Sequence, residues 1–313
     1  MKKFKVTLLA LVLAMTSVLF AACSSGEKEE KKADAKAETR VVKHKKGETA
    51  IPVEPKRIAD LSGATEALLI FDMKPVVTAN TSQEKIDIHL QDQLKDVEPV
   101  GSYWGDQINI EAVAAAKPDL ILINNRQEKI YDNLSKIAPT VMLSTELTDW
   151  RGFFTETAEV LGKEKEKDAW LKQYDEKAKK IGEEIVAKTG DEKFMVMAAY
   201  PNAFRVYGNY GHSDVLFNDM KLPAVEGTPE KEPLLQLQKE ALVDYNPDHL
   251  FVFTTGDGSA RLEEFKQEST WKNMNAVKND RVYMISPEDL NKGYAPLGKE
   301  MLLEELKNLI LKK

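Results

Sequence analysis

Glu111-Ala112-Val113, followed by Pro118-Asp119-Leu120-Ile121-Leu122-Ile123, returns later in the chain as Glu240-Ala241-Leu242, followed by Pro247-Asp248-His249-Leu250-Phe251-Val252-Phe253. In both copies the proline stands seven positions after the glutamate. Each copy reads as a helix ended by Pro-Asp and followed at once by a buried strand. The proline has no N–H to give, and the residue before it is pushed out of the α region. A coincidence of two common α/β junctions is the alternative. Identical spacing together with the flanking helix favours duplication, hence two similar α/β lobes.

The rest of the chain fits that reading. Arg57 to Leu61 and Pro75 to Val77 read as short strands, with a helix over Thr65 to Phe71 between them and another around Glu128 to Ile137. Such alternation marks α/β units around a mainly parallel sheet. The rhythm then breaks. Trp150 to Lys188 has no proline and is rich in Lys, Glu and Ala, with Trp170, Leu171, Tyr174, Ala178 and Ile181 at helical spacing. One long helix is expected over Lys163 to Ala187. Phe194 to Met197 starts a new strand, and the alternation resumes, with a further strand over Val282 to Ile285.

The N-terminus is a targeting segment. Lys2, Lys3 and Lys5 precede an apolar run from Val6 to Phe20 that is short for a membrane span, and Ala21-Ala22-Cys23-Ser24 follows. Small residues before the single cysteine resemble a lipoprotein lipobox, although Phe20 stands where that motif prefers Leu. An ordinary secretory signal with an incidental cysteine is the alternative. The expected anatomy is a signal peptide over 1–22, a lipidated tether from Cys23 over 23–40, a first lobe over 41–160, the connecting helix over 161–190 and a second lobe over 191–313. Ser24 to Arg40 lacks aromatic and large aliphatic residues, as a solvated tether would. One cysteine excludes an internal disulfide and a thiolate metal cluster. A net charge of −7 argues against a nucleic-acid binder.

Several stretches carry a resemblance. Pro55-Lys56-Arg57-Ile58, Lys117 to Leu122, the run Arg126 to Thr140, and Trp271 to Lys278 resemble the substrate-binding lipoproteins of ABC importers for iron(III)-siderophore complexes. The resemblance covers nearly the whole of Val41 to Lys313. It implies two Rossmann-like α/β lobes with mainly parallel sheets, joined by one long interdomain helix, with a ligand cleft between them. It further implies a monomer, lipid-anchored on the extracytoplasmic face of the cell membrane, that captures a ferric siderophore and delivers it to an ABC permease with its cytoplasmic ATPase.

Ferric iron is a hard cation, and a siderophore already fills its coordination sphere with oxygen, so no metal ligand or cofactor is expected from the protein. Such a complex is bulky, oxygen-rich and often anionic. Arginines supply forked hydrogen bonds to it and aromatic rings supply flat apolar contact. Candidates at strand-end loops are Tyr103, Trp104 and Arg126 in the first lobe, and Arg205, Tyr207, Tyr210, His212 and Tyr294 in the second. Each has a structural alternative. Tyr103 and Trp104 could plug the gap between lobes, Arg126 could cap a helix, and Arg205 with Tyr207 could line a solvated strand face. Relatives often carry arginine where His212 stands, and hydroxamate binders tend to carry tryptophan at the place of Tyr210. No full basic set for a triscatecholate is present, which favours a hydroxamate or citrate-hydroxamate ligand.

The resemblance also implies one exposed glutamate per lobe for docking on the permease, placed here at Glu128 and Glu240. A haem or cobalamin binder of the same fold is the nearest rival. A free transition-metal binder is a weaker one, since His89 and His212 are the plausible histidine ligands. No G-x-S-x-G elbow, P-loop, H-E-x-x-H or dinucleotide fingerprint is present, so no enzyme is expected.

Overall fold

The computed structural model describes residues 38–82 and 85–312. The expected signal peptide, Cys23 and nearly all of the expected tether lie outside the described residues. Two five-stranded sheets organise the chain. The first is wholly parallel, in the order Glu98–Pro99, Val77–Thr78, Ile58–Asp60, Leu120–Ile123, Thr140–Met142. The second runs Leu234–Leu237, Phe204–Tyr207, Phe194–Ala199, His249–Thr254, Val282–Met284. Its last three strands are parallel, and its first two join antiparallel.

Side-chain alternation explains why the central strands are apolar throughout. Leu120 and Leu122 point into a core shared with Phe194, Val196, Phe251 and Phe253 of the other sheet. Their neighbours Ile121 and Ile123 face a separate first-lobe cluster, and Met195, Met197, Leu250 and Val252 face a separate second-lobe one. A strand covered on both faces reads as an unbroken hydrophobic run. The shared core is completed by the long helix Glu164–Thr189, which buries Tyr174, Ala178, Ile181, Gly182 and Ile185. Those positions recur at four, seven, eight and eleven, one stripe of an α-helix about 39 Å long. The lobes are therefore built on one common core as well as two of their own.

The internal echo has a structural counterpart. The Asp119 carboxylate accepts the backbone N–H groups of Lys56 at 2.8 Å and Arg57 at 2.9 Å, just ahead of the strand Ile58–Asp60. Asp248 accepts the N–H of Lys193 at 2.8 Å, just ahead of Phe194–Ala199. Each aspartate also gives its own N–H to the carbonyl of Arg57 or Lys193. The aspartate of each Pro-Asp pair thus ties the starts of two neighbouring strands together. Val113 and Leu242, both fully buried, hold the preceding turn on its lobe.

Some elements differ from expectation. The strand Thr39–His44 pairs with Gly47–Pro52 as a hairpin, so ordered structure includes Thr39 and Arg40 and begins before Val41. The segment expected to be helical over Glu128 to Ile137 is a 3-10 turn, Asn125–Ile130, with a single α turn, Tyr131–Leu134. Asn124 and Gln127 cap each other there, and both side chains also bond the carbonyl of Tyr103, which draws the chain into the tighter turn. Glu240 likewise lies on a 3-10 turn, Lys239–Asp244. The antiparallel edge of the second sheet departs from a mainly parallel reading. The closing helix Pro296–Lys312 packs on the long helix and also on the first-lobe helix Thr65–Ile70.

Gly182 fixes how closely the long helix approaches the second lobe, because a Cβ there would collide with the carbonyl oxygen of Met220. Alanine is the better helix former by about 1 kcal/mol. Gly182→Ala should nevertheless lower the unfolding free energy by about 1–3 kcal/mol through overpacking. A urea titration that showed the variant equal to or more stable than the parent would refute this close approach.

Candidate functional site

The strand-end loops of both sheets bring their aromatic residues into one continuous ladder. Trp104, beyond Glu98–Pro99, meets Tyr294, beyond Val282–Met284, edge to face, with centroids 5.4 Å apart. Tyr294 in turn packs on Tyr210 at 4.8 Å. The ladder therefore crosses from one lobe to the other. Gly211 allows the close approach, since its φ of +62° suits glycine and a Cβ there would stand 3.3 Å from the Tyr294 ring.

One arginine stands over the first-lobe end of this ladder, and a second stacks on another second-lobe ring, Tyr200. The Arg126 guanidinium lies over the Trp104 ring at 5.2 Å. The Arg205 guanidinium lies over Tyr200 at 3.8 Å, and the Tyr200 hydroxyl is 3.3 Å from that of Tyr207. Among the described residues neither arginine forms an ion pair, and the Arg205 Nε is buried with no hydrogen-bond partner. An unpaired guanidinium over an aromatic face offers its donors to an anionic oxygen. The hydroxyls between them stay neutral at ordinary pH. Burial pushes the Tyr210 hydroxyl up to about 12 against the opposing charge of Arg126, and burial raises Tyr294 further.

The remaining predicted residues form a second layer. Tyr103, 4% exposed, packs beneath Trp104 at 4.9 Å and against Gly63. Tyr207 is buried against Phe253, so the strand face it shares with Arg205 is not a solvated one. His212 is 5% exposed, and burial, then the nearby Lys299, push it down to about 3. It is thus a neutral interior ring and does not replace the missing arginine. Tyr200 was not anticipated, although an aromatic directly after the strand Phe194–Ala199 was the available signal. Asn124 was also missed. Its amide bonds the carbonyls of Ser62 at 2.8 Å and Tyr103 at 3.0 Å, fixing the loop under Trp104.

The expected docking glutamates are both exposed. Glu128 pairs with Lys46 of the N-terminal hairpin at 3.1 Å, and that hydrogen bond holds its carboxyl below the usual range. A cavity of about 1140 Å³ lies elsewhere, along Trp150, the long helix and Asp214 to Lys221. Much of its charge is internally matched. Arg151 pairs with Asp175 at 2.7 Å and Asp219 at 2.9 Å, and Lys299 with Asp214 at 2.6 Å. Arg126 and Arg205, stacked on their aromatic rings, have by contrast no ion-pair partner among the described residues. Among the described residues no cluster of three or more His, Cys, Asp or Glu could hold a metal ion, and no helix is long and apolar enough to cross a membrane.

A family model described as periplasmic binding protein matches residues 67–288. The chain belongs to the periplasmic binding protein family. Relatives span the same length. The probable siderophore-binding lipoprotein YfiY of Bacillus subtilis is 28% identical, with 96% of this chain and 97% of that protein covered. The iron(3+)-hydroxamate-binding protein YxeB of the same organism is 27% identical, with 98% and 96% covered. Among solved structures, Staphylococcus aureus SirA complexed with staphyloferrin B superposes with a TM-score of 0.74 at 29% identity, covering 87% of this chain and 99% of that one. The two-lobed α/β architecture with its long connecting helix is that of these binding proteins.

Lys299 holds this binding-protein frame together from inside. Its side chain is 1% exposed and its ammonium also lies 3.7 Å from Asp219. Lys299→Met would leave the Asp214 carboxylate buried without its cation and Asp219 with Arg151 alone, at a cost of about 3–5 kcal/mol. Burial works to raise Asp214, but Lys299 and hydrogen bonds hold its carboxyl below the usual value. A group depressed on folding stabilises above its unfolded pKa, about 3.9, and that contribution is lost as pH falls through the folded value. Thermal unfolding followed from neutral pH into acid should therefore show the parent losing stability below about pH 4 more steeply than Lys299→Met. Parallel acid limbs would contradict the assignment.

Proposed function

We propose that the protein captures a ferric siderophore in the cleft between its lobes, outside the cell, and delivers it to the permease of an ABC importer. The observation that carries this reading is an aromatic ladder drawn from both lobes, with Arg126 over its Trp104 end and Arg205 over Tyr200, both arginines without carboxylate partners among the described residues. Within an acidic chain, two uncompensated guanidiniums create a local positive site. Chelate oxygens, carboxylate or hydroxamate, accept from such forks, and the rings contact the flat apolar parts of the complex. A relative that binds iron(3+)-hydroxamate and a solved relative complexed with staphyloferrin B support this substrate class. Two arginines are few for a triscatecholate, so a hydroxamate or citrate-hydroxamate complex fits best. Cys23, after the export signal, is the proposed lipid attachment point on the extracytoplasmic face.

For docking, the duplicated junction favours a refinement. Glu111 and Glu240 each stand seven positions before the Pro-Asp that ties two strands, and both are exposed. Glu128 has no such counterpart and is engaged by Lys46. The proposed pair is therefore Glu111 and Glu240.

Quenching of intrinsic fluorescence, titrated with ferric hydroxamates, ferric citrate, a ferric catecholate, haem and cobalamin, tests the ligand. Binding of a ferric hydroxamate or citrate complex below micromolar is expected. Tighter binding of haem or cobalamin would replace the reading with its rival. Arg126→Ala and Arg205→Ala should each weaken the preferred complex about 10- to 100-fold without unfolding, as loss of a charge-assisted bond implies. Unchanged affinity in both would mean that the cleft lining is misassigned. In whole-cell uptake of the radiolabelled complex, Glu111→Ala with Glu240→Ala should abolish transport and spare binding. A greater loss with Glu128→Ala plus Glu240→Ala would restore Glu128 to the pair.

A further inference from the structure

Tyr294 sits in a segment whose two ends are both pinned to the opposite lobe. Three residues before it, the Asn291 side-chain amide donates to Asp87 Oδ1 at 2.6 Å. Four residues after it, the Gly298 N–H donates to Glu66 Oε2 at 2.8 Å. The other Glu66 oxygen meets His89 Nε2 at 2.7 Å, with those two side chains 2% and 1% exposed. Asp87 lies two positions before His89 and is itself buried. Between the pins, Leu297 packs on a small first-lobe cluster of Leu90, Leu94 and Val97.

We propose that Glu66, Asp87 and His89 are positioning residues of the cleft, forming a latch that fixes segment 291–298 and so sets Tyr294 against Trp104. None of the three belongs to the aromatic ladder. The latch stands on its own geometry, and its effect on ligand rests on the reading of the cleft given above.

The charges make the latch sensitive to protons. Two buried carboxylates in one pocket are costly unless a cation accompanies them. Glu66 comes from the helix Thr65–Ile70 and Asp87 from the His89 segment. Lys292, from the pinned segment, also faces His89, but its ammonium is engaged by Asp289 at 2.9 Å and Glu305 at 2.7 Å. The neutral hydroxyl of Tyr103 faces the same two carboxylates. Burial works against an imidazolium, yet the hydrogen bond that His89 donates to Glu66 and the charges of Glu66 and Asp87 outweigh it and raise His89 above its ordinary value. Burial also raises Asp87, which Asn291 and the charge on His89 oppose. Among the described residues His89 Nδ1 is buried with no hydrogen-bond partner, and Glu66 provides the ring's one direct bond. A group raised on folding stabilises in full below its unfolded pKa of about 6.5 and loses that contribution as pH climbs through the folded value. The latch should loosen in alkaline solution.

Amide hydrogen exchange on the full chain tests this. In His89→Gln and Glu66→Gln the amides of 291–298 should exchange at least about ten-fold faster, with the central strands unchanged. In the parent, their protection, corrected for the intrinsic rate, should fall as pH rises above about 6.5, whereas His89→Gln should show no such fall. Unchanged protection in both variants, or the same pH dependence in His89→Gln, overturns the proposal. Should neither variant fold, Asn291→Ala decides, with faster exchange at 291–294 expected and parental exchange overturning it. Ferric citrate and ferrioxamine B serve as ligand probes, and affinity for the one that binds should fall in step with protection. If neither binds the parent while exchange behaves as stated, the ligand reading fails and the latch stands.

Discussion

A single ammonium group, that of Lys299, organises the junction on which both lobes depend. It reaches Asp214 and Asp219 and lies 5.1 Å from the centre of the Trp150 ring. A buried cation of this kind must be paired, and its partners must be satisfied in turn. Trp150 donates its indole N–H to Asp214 at 3.0 Å, and Tyr174 donates its hydroxyl to Asp219 at 2.6 Å. Arg151 then closes on Asp219 and Asp175. The network joins the helix Trp150–Leu161, the long helix, the turn His212–Asp219 and the closing helix. Geometry in the third of these is unusual for a reason. Asp214 and Asp219 are five apart and would diverge on an α-helix. The π turn Val215–Asp219, with Met220 N–H bonded back to the Val215 carbonyl, turns both carboxylates to one lysine.

The same short stretch serves three purposes. Residues 291–299 carry Asn291 and Gly298, which reach across to the first lobe, Tyr294, which spans the cleft, and Lys299, which anchors the junction. Gly298 is required there because a Cβ would run into the backbone of Lys292 at 2.5 Å. With a shared apolar core as well, relative motion of the sheets is resisted at several points. That is the mechanical setting in which a ladder of rings across the gap can be held in register.

Much of the architecture was legible because it rests on local rules. Leu120–Ile123 and His249–Thr254 announce themselves by apolar runs after Pro-Asp, and the long helix by its stripe from Tyr174 to Ile185. The less legible parts depend on contacts distant in sequence. Nothing local in Asn125 to Leu134 forbids an α-helix. The turn tightens because Asn124 and Gln127 bond the Tyr103 carbonyl, some twenty residues away. The site shows the same division. Trp104, Arg126, Tyr210 and Tyr294 fall beyond strand ends, where a cleft is lined, and come together in one ladder, while Arg205, inside the strand Phe204–Tyr207, stacks on Tyr200 instead. Tyr103, Tyr207 and His212 carry the right chemistry at the right ends, but burial places them one layer behind. Glu66 and Asp87 gave no signal, and His89 stood out only as a possible metal ligand, because their meaning lies in a segment two hundred residues further on.

The duplicated Pro-Asp junction also bears on how a loaded cleft could be sensed. Asp119 and Asp248 clamp neighbouring strand starts within each sheet, so each sheet and the turn before its Pro-Asp move as one body. Glu111 and Glu240, the proposed docking pair, lie on those turns and inherit the positions of their sheets. The distance between the two carboxylates is therefore a direct measure of the distance between the lobes. In the proposed function, a ligand that engages Arg126 on one side and Arg205 on the other would change the balance of forces across the same gap. Cleft occupancy and the spacing of the docking groups would then be coupled through the sheets, with no separate signalling element needed.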